Sequence, residues 1–261
     1  MKYWYSLSAA LLFSVFFALP AAARVNMLDP WAPGLDFLIP KDTWNHDVHV
    51  RMGSGMKNTD FSEAGYLLDT PLSPDWEVGG GLNLLSTNST GKHESGLGDL
   101  GLGAKYKLPL GYLPPSLDLC GEAGLTLPTG NPKKGLGAGG LGLFGGGDFQ
   151  GALADNVTGY SHLGLRVFTK GQDTLLGPVF EYMFGIKYLV DTEWIATTDV
   201  RAFNHGRDEY KGVKGKSYDE IYLAPGAYYR PKGVFAEFQG ALLLGLTGDS
   251  YDFGLQLSAK F

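Results

Sequence analysis

The feature that most constrains this chain is a strict alternation of apolar and polar residues in many short segments. In residues 251–261, aromatic and aliphatic residues occupy the odd positions, whereas Asp, Gly, Gln, Ser and Lys occupy the even ones. The same alternation recurs at 76–84, 99–108, 117–127 and 180–190. A period of two is that of a β-strand with one apolar and one polar face. The chain is therefore predicted to be all-β.

The connections between the predicted strands alternate between short turns and longer polar loops. The predicted strands are approximately 46–57, 62–70, 75–86, 97–108, 116–128, 138–152, 157–169, 178–190, 193–204, 217–229, 234–245 and 251–261. Longer loops are predicted at 87–96, 129–137, 170–177 and 205–216. Strands of about 9–11 residues joined in this way are typical of bacterial outer-membrane barrels. The predicted fold is a transmembrane antiparallel β-barrel of about twelve strands.

A soluble β-sandwich or a lipocalin-like fold would show the same alternation, and composition separates the alternatives. Charged residues make up only 18% of the chain, against about 25% in soluble domains. The polar face is rich in glycine, which would leave room for neighbouring side chains or solutes. A closed barrel also satisfies every backbone hydrogen bond without an exposed edge, as the hydrocarbon region demands. These observations favour the barrel.

The two ends of the chain carry targeting features. Residues 1–23 have a short positive region, an apolar region and a small-residue cleavage site, which predicts a cleaved signal peptide. Residues 24–45 suit no spanning strand, and they form either a lumenal plug or a periplasmic leader. Residues 46–261 are the predicted outer-membrane barrel, and Phe261 is the aromatic terminus that the barrel insertion machinery is expected to read.

Several functional classes are disfavoured by charge and composition. A net charge of −6 argues against binding nucleic acid. A single Cys cannot form an internal disulfide or a four-thiolate metal site. Ser161 and His162 are adjacent and would point to opposite faces of one strand, while His93 and His205 are predicted in solvated loops. No catalytic residue, metal site or cofactor is predicted, although a lipid-modifying enzyme that uses distant partners stays an alternative.

Residues 96–108 carry a resemblance to a known family. The sequence Gly96-Leu-Gly-Asp-Leu-Gly-Leu-Gly-Ala-Lys-Tyr-Lys-Leu108, preceded by a Glu-Val-Gly-Gly-Gly-Leu strand at 77–82 and followed by Leu-Pro-Thr-Gly at 127–130, resembles the meta-pathway phenol-degradation-like family of outer-membrane transporters. The resemblance covers about residues 70–135. It implies a channel for a small solute of hydrophobic or aromatic character, and it transfers no catalytic residue.

The polar faces of the predicted strands would line the lumen. Outer-membrane lipid surrounds such a barrel, and cations of the loop 205–216 would either contact lipopolysaccharide phosphates or be solvated. The predicted function is passive uptake through a narrow polar channel, and a closed structural barrel is the third alternative. The predicted lumen-lining residues are Glu77, Asp99, Lys105, Lys107, Asp118, Glu122, His162, Arg166, Glu181, Lys187, Glu193, Asp199, Arg201, Glu220, Glu237, Asp252 and Lys260.

Overall fold

The computed structural model describes residues 45–56, 59–73, 75–89, 92–109, 117–171, 174–233, 236–247 and 253–260. The predicted signal peptide (1–23), the segment 24–44 and Phe261 lie outside these residues. Within the described ranges, no helix is long and apolar enough to cross a membrane.

Twelve long antiparallel strands form a closed barrel, which confirms the predicted fold class. The fourth strand consists of two segments separated by Gly98 and Asp99. The strands are β1 (Asn45–Met56), β2 (Thr59–Ser73), β3 (Trp76–Ser89), β4 (Lys92–Leu97 and Leu100–Lys107), β5 (Leu117–Leu127), β6 (Gly142–Ala154), β7 (Val157–Phe168), β8 (Val179–Leu189), β9 (Trp194–His205), β10 (Tyr218–Tyr229), β11 (Glu237–Gly245) and β12 (Phe253–Lys260).

Pairing of the first strand with the last closes the barrel. β1 runs antiparallel to β12, with Asp47 opposite Lys260 and Ser54 opposite Phe253. The other side of β1 pairs with β2, and each later strand pairs with its successor. Each long strand therefore has a neighbour on both sides, except that the Lys92–Leu97 segment of β4 pairs with β3 alone. Pairing between strands thus satisfies the backbone groups through most of the wall.

The alternation of the sequence appears as two faces of the wall. On β8 the side chains of Phe180, Tyr182 and Phe184 are exposed, whereas Glu181 and Lys187 are buried. Pleating directs successive side chains to opposite faces, so the apolar set lies outside and the polar set lies inside. An apolar exterior and a polar interior are the arrangement of transmembrane barrels.

β3 and β4 extend further than the sequence pattern predicts. Residues 87–96 were expected to form a loop, but β3 continues to Ser89 and β4 begins at Lys92, with Ser89 opposite Lys92. His93 and Glu94 are therefore strand residues, contrary to the predicted loop position. The prediction was wrong because both faces are polar here, which removes the apolar period while backbone pairing continues.

The remaining long loops gather at one end of the barrel, here called the long-loop end. The β5–β6 loop (128–141) contains a short 3-10 turn, Pro132–Lys134, which Asn131 caps. The β7–β8 loop (169–178) and the β9–β10 loop (206–217) share a small sheet made of Thr174–Leu175, Glu209–Tyr210 and Val213–Lys214. These contacts join neighbouring loops above the barrel wall.

Candidate functional site in the barrel interior

Most of the predicted lumen-lining residues occupy the phase of their strands opposite to the exposed apolar side chains, and many of them form ion pairs there. Buried positions are Glu77, Asp99, Arg166, Glu181, Lys187, Asp199 and Arg201, while Lys105, Lys107, Asp118, Glu122, Glu220 and Glu237 are partly exposed. Glu193 is an exception, because it lies in the turn before β9 and pairs with Lys232 at 3.0 Å. Asp252 and the side chain of Lys260 are outside the described part.

Four neighbouring strands, β4 to β7, bring one base, two acids and a histidine together. Lys105 Nζ lies 2.8 Å from Asp148 Oδ2. His162 Nδ1 is 2.9 Å from Asp148 Oδ1 and 3.8 Å from Glu122 Oε1. Glu122, Asp148 and His162, which we call the acid–histidine cluster, present donor atoms that all lie within 4.8 Å of one another.

A second polar group connects β7 and β9 with the closing strand. The Tyr160 hydroxyl donates to Asp199 Oδ2 at 2.7 Å, and the same carboxylate pairs with Arg201. Arg201 also donates through Nη1 to Gln256 Oε1 at 2.9 Å. Since β9 and β12 are three strands apart, this hydrogen bond spans part of the lumen rather than following the wall.

Further ion pairs and cation–π contacts connect side chains along the inner face. Arg166 Nε donates to Glu181 Oε1 at 3.0 Å, and its guanidinium lies 5.4 Å from the centre of the Phe144 ring. Lys187 Nζ lies 5.0 Å from the Tyr160 ring centre. At the short-turn end Lys107 pairs with Asp118, and Arg230 Nε donates to Glu237 Oε2 at 2.6 Å.

The first three strands hold a buried network that the sequence analysis missed. Arg51 Nη2 lies 2.5 Å from Glu63 Oε2, and Asn83 donates to the other oxygen of Glu63 at 2.5 Å. His49 Nε2 lies 3.6 Å from the same carboxylate. Glu63 and Arg51 face each other across β1 and β2. Their charges were the available signal, but β1 carries polar residues on both faces, which obscured the phase.

Asp99 ties the β5–β6 loop to the break in β4. Its carboxylate accepts the backbone N–H of Gly130 at 2.8 Å and that of Ala138 at 2.6 Å. Thr129 adds two bonds, because its hydroxyl donates to Gly98 O and accepts from Leu100 N. Asp99 is fully buried. It therefore positions a loop at the mouth of the interior instead of standing free in the lumen.

An apolar layer lies inside the barrel near the long-loop end. It comprises Phe61, Val179, Phe203, Tyr222, Ala224 and Leu243, with Phe168 and Tyr218 packed against it. These side chains come from β2 and from β7 to β11, in the inward phase of each strand. The sequence pattern does not predict this layer, because the inward phase is polar along most of these strands. Phe203, in phase with Asp199 and Arg201, was the signal that could have revealed it.

His205 borders the apolar layer and is not solvated, which corrects the sequence prediction. It is the last residue of β9 and only 3% exposed. Its ring stacks on Tyr218 with centroids 4.4 Å apart. Its Nε2 lies 3.0 Å from Glu220 Oε1, and the Tyr222 hydroxyl donates to the other Glu220 oxygen at 2.9 Å.

The closed twelve-stranded wall, apolar outside and charged inside, defines a β-barrel of the porin-like class. The family described as "Putative MetA-pathway of phenol degradation" matches residues 30–261, and the chain belongs to it. No curated protein shows a significant sequence match to this chain.

Solved structures of outer-membrane channels share the fold. An outer membrane channel from Pseudomonas putida F1 is 14% identical, with a TM-score of 0.75 over 91% of this chain and 99% of that one. The KdgM porin in complex with disordered oligogalacturonate is 7% identical, with a TM-score of 0.54 over 83% and 98% of the two chains. The NanC porin is 8% identical, with a TM-score of 0.51 over the same shares.

Proposed function

We propose that the protein is a bacterial outer-membrane channel for passive uptake of a small solute of hydrophobic or aromatic character. The observation that carries the solute class is the apolar layer inside an otherwise charged interior. Aromatic side chains on the inner face of the wall can contact the faces of an aromatic solute that enters the barrel. The charged groups beneath the layer would keep the remaining path hydrated.

The outward-facing apolar side chains support the membrane location. They include Phe184 on β8, Val200 on β9 and Leu257 on β12, all substantially exposed. A large continuous apolar exterior is unusual in a soluble monomer and requires a covering phase. A surrounding lipid bilayer provides that phase, and the long-loop end would then face the cell exterior.

The experiment is a single-channel current measurement on refolded protein in a planar bilayer, with benzoate or acetate added. We expect benzoate to interrupt the ionic current, and acetate, which carries the same charge without the ring, to leave it unchanged. Phe203→Ala, which removes an aromatic ring from the apolar layer, should abolish the benzoate interruptions. Phe184→Ala removes an exposed outward ring and is the matched control. Interruptions that persist in Phe203→Ala would contradict the proposed solute class, while silence in every variant would favour a closed structural barrel.

We also propose that the segment before the first strand gates the channel. Residues 24–41 would control access if they enter the lumen, so a chain lacking them should show a changed conductance. A conductance equal to that of the intact mature chain would instead favour a periplasmic leader.

The proposed channel would have two partners in the outer membrane, namely lipopolysaccharide and the barrel insertion machinery. Lys211 and Lys214 are exposed in the β9–β10 loop, at the end where outer-leaflet phosphates would lie. Contacts with lipopolysaccharide would then weaken as salt is raised. Recognition by the insertion machinery through Phe261 rests on the chain terminus, so replacing Phe261 with Ser should slow assembly into liposomes that contain that machinery.

A further inference from the structure

The acid–histidine cluster provides the donor atoms of a cation site within the barrel wall. Glu122 and His162 have side-chain exposures of 7% and 5%, so both are largely removed from solvent. Glu122 makes no hydrogen bond with the described residues, and its nearest charged partner is His162 Nδ1 at 3.8 Å. A carboxylate with so little access to solvent and no hydrogen bond to the described residues gains stability when a cation binds it.

The wall around these side chains leaves room for them. A Cβ atom at Gly146 would lie 3.1 Å from Glu122 Oε1, and one at Gly164 would lie 2.8 Å from His162 Nε2. Glycines on β6 and β7 therefore let the carboxylate and the imidazole lie along the strands and converge. Asp148, directly opposite His162 in the β6–β7 register, completes the three-donor set.

We propose that Glu122, Asp148 and His162 bind a divalent first-row transition-metal ion of the Zn²⁺ class. One imidazole nitrogen and two carboxylate oxygens are ligands that such ions accept. Metal–ligand bonds of about 2.0–2.2 Å require donor atoms separated by roughly 3.3 Å. The existing separations of 2.9 and 3.8 Å at His162 Nδ1 bracket that value, and all three donor atoms lie within 4.8 Å of one another, so side-chain rotations would bring them around one ion. A water from the lumen would supply the remaining ligand.

Lys105 acts as the competing cation. Its ammonium lies 2.8 Å from Asp148 Oδ2, and it must move away when a divalent ion binds because the two positive charges repel each other. The site would therefore have moderate affinity and would release its ion readily. This property suits a site that faces a permeation path, where tight binding would block passage.

The test is isothermal titration of refolded protein in detergent micelles with Zn²⁺ alone. We expect one ion per chain, with at least about a tenfold loss of affinity in Glu122→Gln and in His162→Gln. Lys105→Met should bind more tightly by about tenfold or more, because it removes the competing charge beside Asp148. His49→Gln is the matched control, since His49 is a buried histidine beside a single acid that Arg51 already holds.

Two results would overturn the proposal. One is Zn²⁺ binding that is absent from the intact protein and from Lys105→Met alike. The other is binding that both cluster variants retain at the affinity of the intact protein. Heat-modifiable migration on gels checks that each variant has folded. If one cluster variant fails this check, the Zn²⁺ affinities of the other cluster variant and of Lys105→Met test the proposal.

Discussion

At the residue scale, inward-facing glycines provide the space in which larger neighbours lie. Gly185 on β8 sits between Tyr160 and Asp199, and a Cβ there would lie 2.5 Å from the tyrosine ring and 2.6 Å from Asp199 Cβ. The hydrogen bond from Tyr160 to Asp199 therefore depends on the missing side chain. Gly65 has the same relation to His49, whose imidazole would lie 2.2 Å from an added Cβ.

Replacing Gly185 with Ala should destabilise the folded barrel by about 1–3 kcal/mol, because Tyr160 and Asp199 must move. The measurement is the urea midpoint of refolded protein in detergent or lipid. Gly121→Ala is the matched control, since a Cβ at Gly121 would meet nothing within 4 Å. Equal destabilisation by the two substitutions would contradict the steric explanation.

At the element scale, the break in β4 and the β5–β6 loop form one unit. Where strand pairing is interrupted at residues 98–99, the Asp99 carboxylate accepts two hydrogen bonds from the loop backbone. Leu136 and Ala138 are buried beside it, each 2% exposed. A family motif that looks like a lumenal charge in the sequence is thus a loop anchor in the fold.

Replacing Asp99 with Asn should loosen this loop. An amide group has one acceptor oxygen, so one of the N–H groups of Gly130 and Ala138 loses its partner. Amide hydrogen exchange at that position should accelerate by roughly tenfold or more. Glu94→Gln is the control, because Glu94 pairs with Lys134 of the same loop through side chains that are 37% and 47% exposed, and exposed pairs contribute little. Similar exchange in both variants would argue against the anchor.

The β8–β9 turn gives a pH prediction. Backbone N–H groups of Glu193 and Trp194 donate to Asp191 Oδ1 at 2.7 and 2.8 Å. These bonds favour the charged carboxylate and hold the pKa of Asp191 below its ordinary value. The turn is therefore stabilised above the ordinary aspartate pKa of about 4, and the contribution is lost as pH falls through the lowered value. A carboxyl chemical-shift titration measures this directly, and an ordinary pKa for Asp191 would refute it.

At the scale of the whole molecule, the barrel separates two environments with one sheet. The exterior of β8 presents Phe180, Tyr182 and Phe184, whereas its interior presents Glu181 and Lys187. Closure through β1 and β12 makes this possible, because it removes the edges that hydrocarbon cannot satisfy. The free-energy cost of placing a charged side chain on the exterior should therefore depend on the depth of that side chain in the bilayer.

Phe184→Arg, near the middle of β8, should destabilise folding into liposomes by about 2–4 kcal/mol. Phe180→Arg, on the same face close to the end of the strand, should cost only about 0–1 kcal/mol. Denaturant titration of folding in the presence of liposomes measures both values. Equal costs for the two variants would contradict a bilayer around this face.

The sequence by itself predicted about twelve strands and, where the alternation is clear, which face of the strand points outward. Both follow from a local period of two: in β8, Phe184 and Glu181 differ in phase, and pleating alone sends them to opposite sides. The alternation does not predict the structure where both faces of a strand are polar, as at residues 87–96. It also fails where one face carries both apolar and polar side chains, as around Phe203. There, local periodicity no longer distinguishes wall, loop and lumen.

Only the tertiary structure decided which inward residues meet. Arg201 and Gln256 are 55 positions apart and bond to each other because the sheet curves and closes. Barrel closure likewise places Phe61 of β2 beside side chains of β8 to β11 in the apolar layer. Alternation is a property of neighbours along the chain, whereas contacts across a lumen depend on register and curvature. The sequence therefore determined the two faces of the wall, and the closure of the barrel decided the chemistry inside it.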